Sequence, residues 1–177
     1  MRFAHADPIV TSRLECRPGS VELAEAELAA DGSFATRLDC RVPRSWPPGE
    51  YDLHAIAFLR DRMREGGTVC AGWYTWYAVE RATRTLVAAG GYFGPPVDGV
   101  VEIGYSVVPE AQRRGLASEL AEALVQRAFA QPLVRVVRAH THEHNPASIR
   151  VLERCGFRRS GGVSSEGAVE FVRERSA

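Results

Sequence analysis

Apolar and polar positions alternate weakly from Ile9 to Arg17 and stop at Pro18-Gly19, which predicts a short strand closed by a turn. Ser20 then offers an N-cap, and Val21, Leu23, Ala24 and Leu28 recur at helical spacing as far as Asp31-Gly32. A second helix is predicted from about Asp52 to Glu65, with Leu53, Ile56, Ala57, Leu59 and Met63 facing inward. Between the two lies a piece rich in Pro, Trp and Arg, from Arg41 to Tyr51, that follows neither period. Aromatic and β-branched runs at Trp73 to Glu80, Leu86 to Phe93 and Val100 to Val108 predict three strands with short links, an antiparallel meander. The period changes at Gly115, where Leu116, Leu120, Ala123, Leu124 and Ala128 mark a helix that Pro132 stops. A strand follows at Val134 to His140, then a short helix with Asn145 as cap and Pro146 at its first position, ending at Gly156. Phe157 to Arg175 reads as a hairpin turning near Ser164 to Gly167.

The predicted order is mixed α/β, with one parallel crossover through the helix at 115–130. At 177 residues the chain fits one domain, taken as 1–177, large enough to fold without a staple or a metal. Twenty-two basic side chains, all arginine, balance 22 acidic ones. That balance argues against nucleic acid as a partner, because phosphate backbones are bound by clustered excess positive charge. Met1 to Pro18 has no apolar core of the signal-peptide type and no uncharged apolar run is long enough to span a bilayer, so a cytoplasmic location and no membrane partner are expected. Cys16, Cys40, Cys70 and Cys155 are widely spaced and are expected to be reduced structural thiols.

The densest chemistry lies where the strand at 100–108 runs through a turn into a helix, at Gln112-Arg113-Arg114-Gly115-Leu116-Ala117. A strand-to-helix junction aims free backbone N–H groups and the positive end of the helix dipole at one point, which suits a pyrophosphate. Gly115 permits close approach or a positive φ, and Arg113 and Arg114 add charge. A chain without lysine cannot build a Walker A loop or a kinase site, and no Gly-x-Gly-x-x-Gly follows a strand. The plain alternative is an ordinary loop with two solvated arginines.

Gln-x-x-Gly-x-Ala at 112–117 after the Glu-Ile-Gly-Tyr of 102–105, followed by Asn-x-x-Ser-x-x-Val-Leu-Glu-Arg-x-Gly-Phe at 145–157, resembles the GNAT superfamily of acetyl-coenzyme A-dependent N-acetyltransferases. Thr11 to Arg17 is similar to the first strand of its ribosomal-protein N-terminal acetyltransferase branch. The tyrosine that many members carry on the last helix is replaced by Leu152, so that residue cannot be the acid. The resemblance implies a twisted, mostly antiparallel sheet with a splayed parallel pair and helices on both faces. It also implies acetyl-coenzyme A as co-substrate with no metal: the pantetheine would pair along Tyr105, Ser106 and Val107, the diphosphate would sit on 112–117, and Asn145 would bond the pantetheine amides beside its role as a plain N-cap. A backbone N–H of Val107 or Val108 would then face the thioester oxygen.

Glu102 is the acidic residue within the central strand, and alternation puts it on one face with Gly104 and Ser106. It is the candidate base, or else the partner of an arginine on a neighbouring strand. Carboxylates titrate near ~4.3 and α-amines near ~8, so a base of this kind works through water or with a raised pKa. Ser148 is the candidate acid, or a residue that only bonds the helix terminus. His140, His142 and His144 alternate without a fourth ligand and read as solvated or hydrogen-bonded side chains. The resemblance implies an acceptor wall between the first two helices, where Trp46, Pro47, Pro48, Glu50, Tyr51 and Asp52 combine aromatic and acidic groups suited to a cation, or else the Trp-Pro loop is a packing staple; a small-molecule amine or a peptide N-terminus is the expected partner. A homodimer is left open. The competing readings are a catalytically silent acyl-coenzyme A-binding module and a purely structural domain.

Overall fold

The computed structural model describes residues 6–164 and 166–176. Met1 to His5, Ser165 and Ala177 lie outside the described residues, so the start of the leader reading and the centre of the last turn rest on sequence alone. Among the described residues, eight strands form one sheet in the order β1-β2-β3-β4-β5-β6-β8-β7. They are β1 (Ile9–Val10), β2 (Leu14–Pro18), β3 (Thr75–Glu80), β4 (Thr85–Tyr92), β5 (Val100–Val107), β6 (Val136–Thr141), β7 (Arg158–Val163) and β8 (Val169–Glu174). Every pairing is antiparallel except β5 with β6. The helices are α1 (Val21–Ala29), α2 (Ser33–Leu38), α3 (Leu53–Gly66), α4 (Leu116–Phe129) and α5 (Pro146–Arg154). No helix among the described residues is long and apolar enough to cross a membrane.

Strand β3 explains the layering. All six of its residues are buried, because alternate side chains enter different cores. Trp76 and Ala78 join Leu116, Leu120, Leu124 and Leu152 of α4 and α5, whereas Tyr77 and Val79 join Ala24, Phe34, Leu38, Ile56 and Met63 of α1, α2 and α3. The sheet is thus covered on both faces, as expected for the mixed α/β class. Val87 is an extra residue of β4 where the register slips between Ala78 and Val79.

Three local expectations are corrected. The first strand is broken, since Thr11, Ser12 and Arg13 form a turn closed by Thr11 N–H to Leu14 O at 2.9 Å and Leu14 N–H to Thr11 Oγ1 at 2.9 Å. Hydroxyl side chains that compete for backbone partners end a strand in this way. The segment after α1 contains α2, six residues that the pattern did not mark and that bury Phe34 and Leu38. Leu53 is 58% exposed and does not face inward; it is the first residue of α3, just after the Asp52 cap, and Ile56 and Met63 carry the burial.

Candidate active site

Strands β5 and β6 pair through three residue couples, Val100 with Val136, Val101 with Val137 and Glu102 with Arg138. Beyond Glu102 they part, while β5 stays paired with β4 from Ile103 to Val107. Phe93 donates to the Glu102 carbonyl at 3.1 Å and Val108 donates to the Val87 carbonyl at 3.0 Å, so even-numbered backbone groups of this stretch face β4. Alternation then turns the N–H and C=O of Ile103, Tyr105 and Val107 into the gap. Of the two amides considered for the oxyanion, Val108 is already committed and Val107 remains. Ser106 likewise contributes its side chain rather than its backbone, close under Gly49. The gap is the mouth of a cleft of about 900 Å³ bordered by β5, β6, the 112–118 turn and α5.

The turn at the cleft's end leaves backbone amides without a side-chain cap. Arg113 has φ 58° and Gly115 has φ 78°, left-handed conformations that point successive amides the same way. Gly115 caps α4, and no side-chain oxygen satisfies the first-turn N–H groups of Leu116 and Ala117. A Cβ at Gly115 would meet nothing nearer than 3.4 Å, so positive φ rather than space makes glycine the fit there. Gln112 donates its amide to the Val107 carbonyl at 3.1 Å and fixes the turn against the strand. Arg113 borders the cleft. Arg114 does not: its guanidinium pairs with Glu80 and its carbonyl accepts from Arg13 at 2.7 Å, so it braces the turn from behind.

The two faces of the gap carry different chemistry. On the α4–α5 face, the Tyr105 hydroxyl lies 3.3 Å from Ser148 Oγ, and burial pushes the phenol up to about 12. Asn145 Oδ1 accepts from Ser148 N–H at 3.1 Å, which is the plain cap; the cap uses its oxygen and leaves its amide nitrogen as a donor beside the cleft. Leu152 is wholly buried behind them. On the opposite face, Glu102 receives Arg138 Nε at 2.9 Å through one oxygen and lies 2.9 Å from His140 Nδ1 through the other. Glu102 is thus paired with an arginine of the neighbouring strand, and His140, expected to be solvated or hydrogen-bonded, stands beside it on the cleft wall.

A family model described as an acetyltransferase (GNAT) domain matches residues 17–158. The chain belongs to the GNAT acetyltransferase family. As a GNAT N-acetyltransferase it is 26% identical over 149 residues to the uncharacterized N-acetyltransferase YjdG of Bacillus subtilis (strain 168), across 83% of this chain and 87% of that one. Its fold is similar to that of a Vibrio cholerae protein assigned as a ribosomal-protein-serine acetyltransferase, with TM-score 0.66, 20% identity and coverage of 95% and 97%. The structure of AAC(6')-Ib in complex with ribostamycin and coenzyme A is similar with TM-score 0.64, 19% identity and coverage of 93% and 94%.

In this GNAT enzyme the proposed acceptor wall is largely turned inward. Trp46 Nε1 donates to Glu27 at 2.6 Å, and Tyr51 donates to the same carboxylate at 3.0 Å. Asp52 caps α3. Gly49 and Glu50 remain at the cleft, with Phe93 across from them. A Cβ at Gly104 would come to 3.1 Å from the Phe93 ring, so a larger residue there would push that ring aside. Cys155 and Cys16 are buried, with thiols pushed up by burial to about 11 and about 12, and neither borders the cleft. A cysteine nucleophile therefore has no support. His142 and His144 stack with ring centroids 5.1 Å apart, and no group of side chains among the described residues could hold a metal ion.

Proposed function

We propose that the chain transfers an acetyl group from acetyl-coenzyme A to a primary amine by direct attack in a ternary complex. The observation that carries this reading is the opened β5–β6 seam, with a free backbone edge between two faces of unlike chemistry. The residues fit the co-substrate: an extended amide chain suits the edge of Tyr105 and Val107, and a diphosphate suits the cap at Gly115 with Arg113 beside it. When bound it supplies an acyl carbon activated by a thiolate leaving group.

The remaining roles fall to side chains of this protein. The Val107 N–H stabilises the carbonyl oxygen as it gathers charge, which lowers a barrier by a few kcal/mol in such sites. Asn145 orients the arm through its amide nitrogen, and Ser148, backed by Tyr105, serves the departing sulfur. A thiol near ~8.5 departs with little help, so this assistance is minor. The base belongs to the Glu102 cluster on the other face, where the amine enters past Glu50 and Phe93. Acidic groups at that entrance favour a cationic acceptor, either a small amine or a peptide N-terminus, and an α-amine near ~8 is deprotonated at less cost than a lysine near ~10.4.

The test is thiol release from acetyl-coenzyme A across a panel of small amines and peptides. Turnover with amines supports the reading, with Glu50→Ala raising KM for the acceptor. Coenzyme A binding without turnover on any amine would instead establish the silent binding module.

A further inference from the structure

The Glu102 cluster contains a second group able to take the proton. His140 lies on β6 at the vertex where β5 and β6 part, and it borders the cleft. Nδ1 is 2.9 Å from Glu102 Oε1, while Nε2 is 3.7 Å from Glu170 Oε2 of β8, beyond hydrogen-bond reach. Arg138, two residues before His140 on the same face of β6, holds the other Glu102 oxygen at 2.9 Å. Ser160 of β7 donates to the second oxygen of Glu170 at 2.5 Å. Both carboxylates are thus fixed by other groups, and the ring between them is fixed by the carboxylates.

On this basis we propose that His140 is the general base of the transfer and that Glu102 is a positioning residue. The proposal rests on the acetyltransferase reading above. A carboxylate accepts hydrogen bonds and does not donate them, so the bond to Glu102 places the imidazole proton on Nδ1 and the lone pair on Nε2. Nε2 takes the proton from the amine as the nitrogen lone pair forms the C–N bond to the acyl carbon. The C–S bond then breaks, its electron pair leaves with sulfur, and the thiolate is protonated from the Ser148 side or from water. The proton on His140 returns to solvent, so the cycle yields amide and free thiol with no other reactant. The imidazolium formed in passing is flanked by Glu102 of β5 and Glu170 of β8, with Arg138 of β6 opposing them. A neutral imidazole is a stronger base than a carboxylate, so it takes up the proton that the attacking amine sheds at less cost.

The experiment compares wild type with His140→Asn, His140→Ala, Glu102→Gln and Glu102→Ala, measuring kcat, KM and the pH profile of thiol release, and coenzyme A affinity by calorimetry as the check on folding. His140→Asn is expected to lower kcat about 100-fold or more with unchanged coenzyme A affinity and to abolish the acid limb of the profile. Added imidazole should restore part of the His140→Ala rate. Glu102→Gln can still accept from Nδ1 and should keep activity within about tenfold, whereas Glu102→Ala should lose more. The reverse pattern, with His140→Asn near wild type and Glu102→Gln as damaged as Glu102→Ala, makes Glu102 the base and overturns the proposal. A wild type that binds coenzyme A but acetylates no amine overturns the transferase reading itself, and this proposal with it.

Discussion

Glu27 is a buried carboxylate whose partners are all neutral: Trp46 Nε1 at 2.6 Å and the hydroxyls of Tyr51 at 3.0 Å and Tyr77 at 2.7 Å. Burial raises its pKa and the three donors work against that rise. Removing the acceptor would leave Trp46 Nε1 and the Tyr77 hydroxyl without their carboxylate, each worth about 1–3 kcal/mol, while Tyr51 keeps the Tyr77 hydroxyl at 3.3 Å. Glu27→Ala should therefore destabilise the protein by about 3 kcal/mol or more in urea unfolding, with Glu27→Gln costing less because its carbonyl still accepts. For a carboxyl raised in the folded state, the contribution to stability is full below the unfolded value near ~4.3 and is lost as pH rises through the folded value, so Glu27→Gln should flatten that dependence. Nothing in the one-dimensional pattern marks Glu27, which sits in a helix full of alternating glutamates and alanines. Glu102 was legible as a carboxylate inside an apolar strand. Its partnership with His140 was not, because that depends on the parallel register of two strands and joins residues 38 apart in sequence.

At the scale of elements, the turn at 11–13 and helix α4 are joined by one side chain. Glu119 accepts from Thr11 Oγ1 at 2.5 Å, Ser12 Oγ at 3.0 Å, Arg13 N at 2.8 Å and Arg13 Nε at 2.6 Å. Burial alone would raise its pKa, and these bonds outweigh burial to hold it at about 2. A depressed carboxyl stabilises the fold above its unfolded value, near ~4.3, and the benefit disappears as pH falls toward about 2. Glu119→Gln should therefore remove part of the wild-type loss of stability across that window, read from thermal melts at stepped pH. The N-cap of the same helix gives a binding prediction: Gly115→Val forces a β-branched residue to φ 78°, and coenzyme A affinity should fall at least about tenfold by calorimetry while the protein stays folded. Long periodic elements such as α4 and the β3–β4–β5 meander were readable because their spacing persists over many residues. The six residues of α2 and the fold in the first strand were not, since each is shorter than the window in which a period can be recognised.

For the whole molecule, two half-sheets, β1 to β5 and β6 to β8 with β7, meet at a seam of three residue couples, and α4 and α5 pack across the back of it. The residues past the seam have backbone groups with no strand partner on the open side. A ligand that lies between Tyr105 and the body of β6 would act as a splint, adding a rung to each half and tying their fates together. Coenzyme A should then raise the unfolding free energy by about 2.7 kcal/mol at a hundred times its dissociation constant, and the exchange of the Tyr105 and Val107 amide hydrogens with solvent deuterium should slow more than that of the β3 core, which is already closed on both edges. With coenzyme A bound there, the shortest pairing in the middle of the sheet would be the place where occupancy is converted into mechanical continuity.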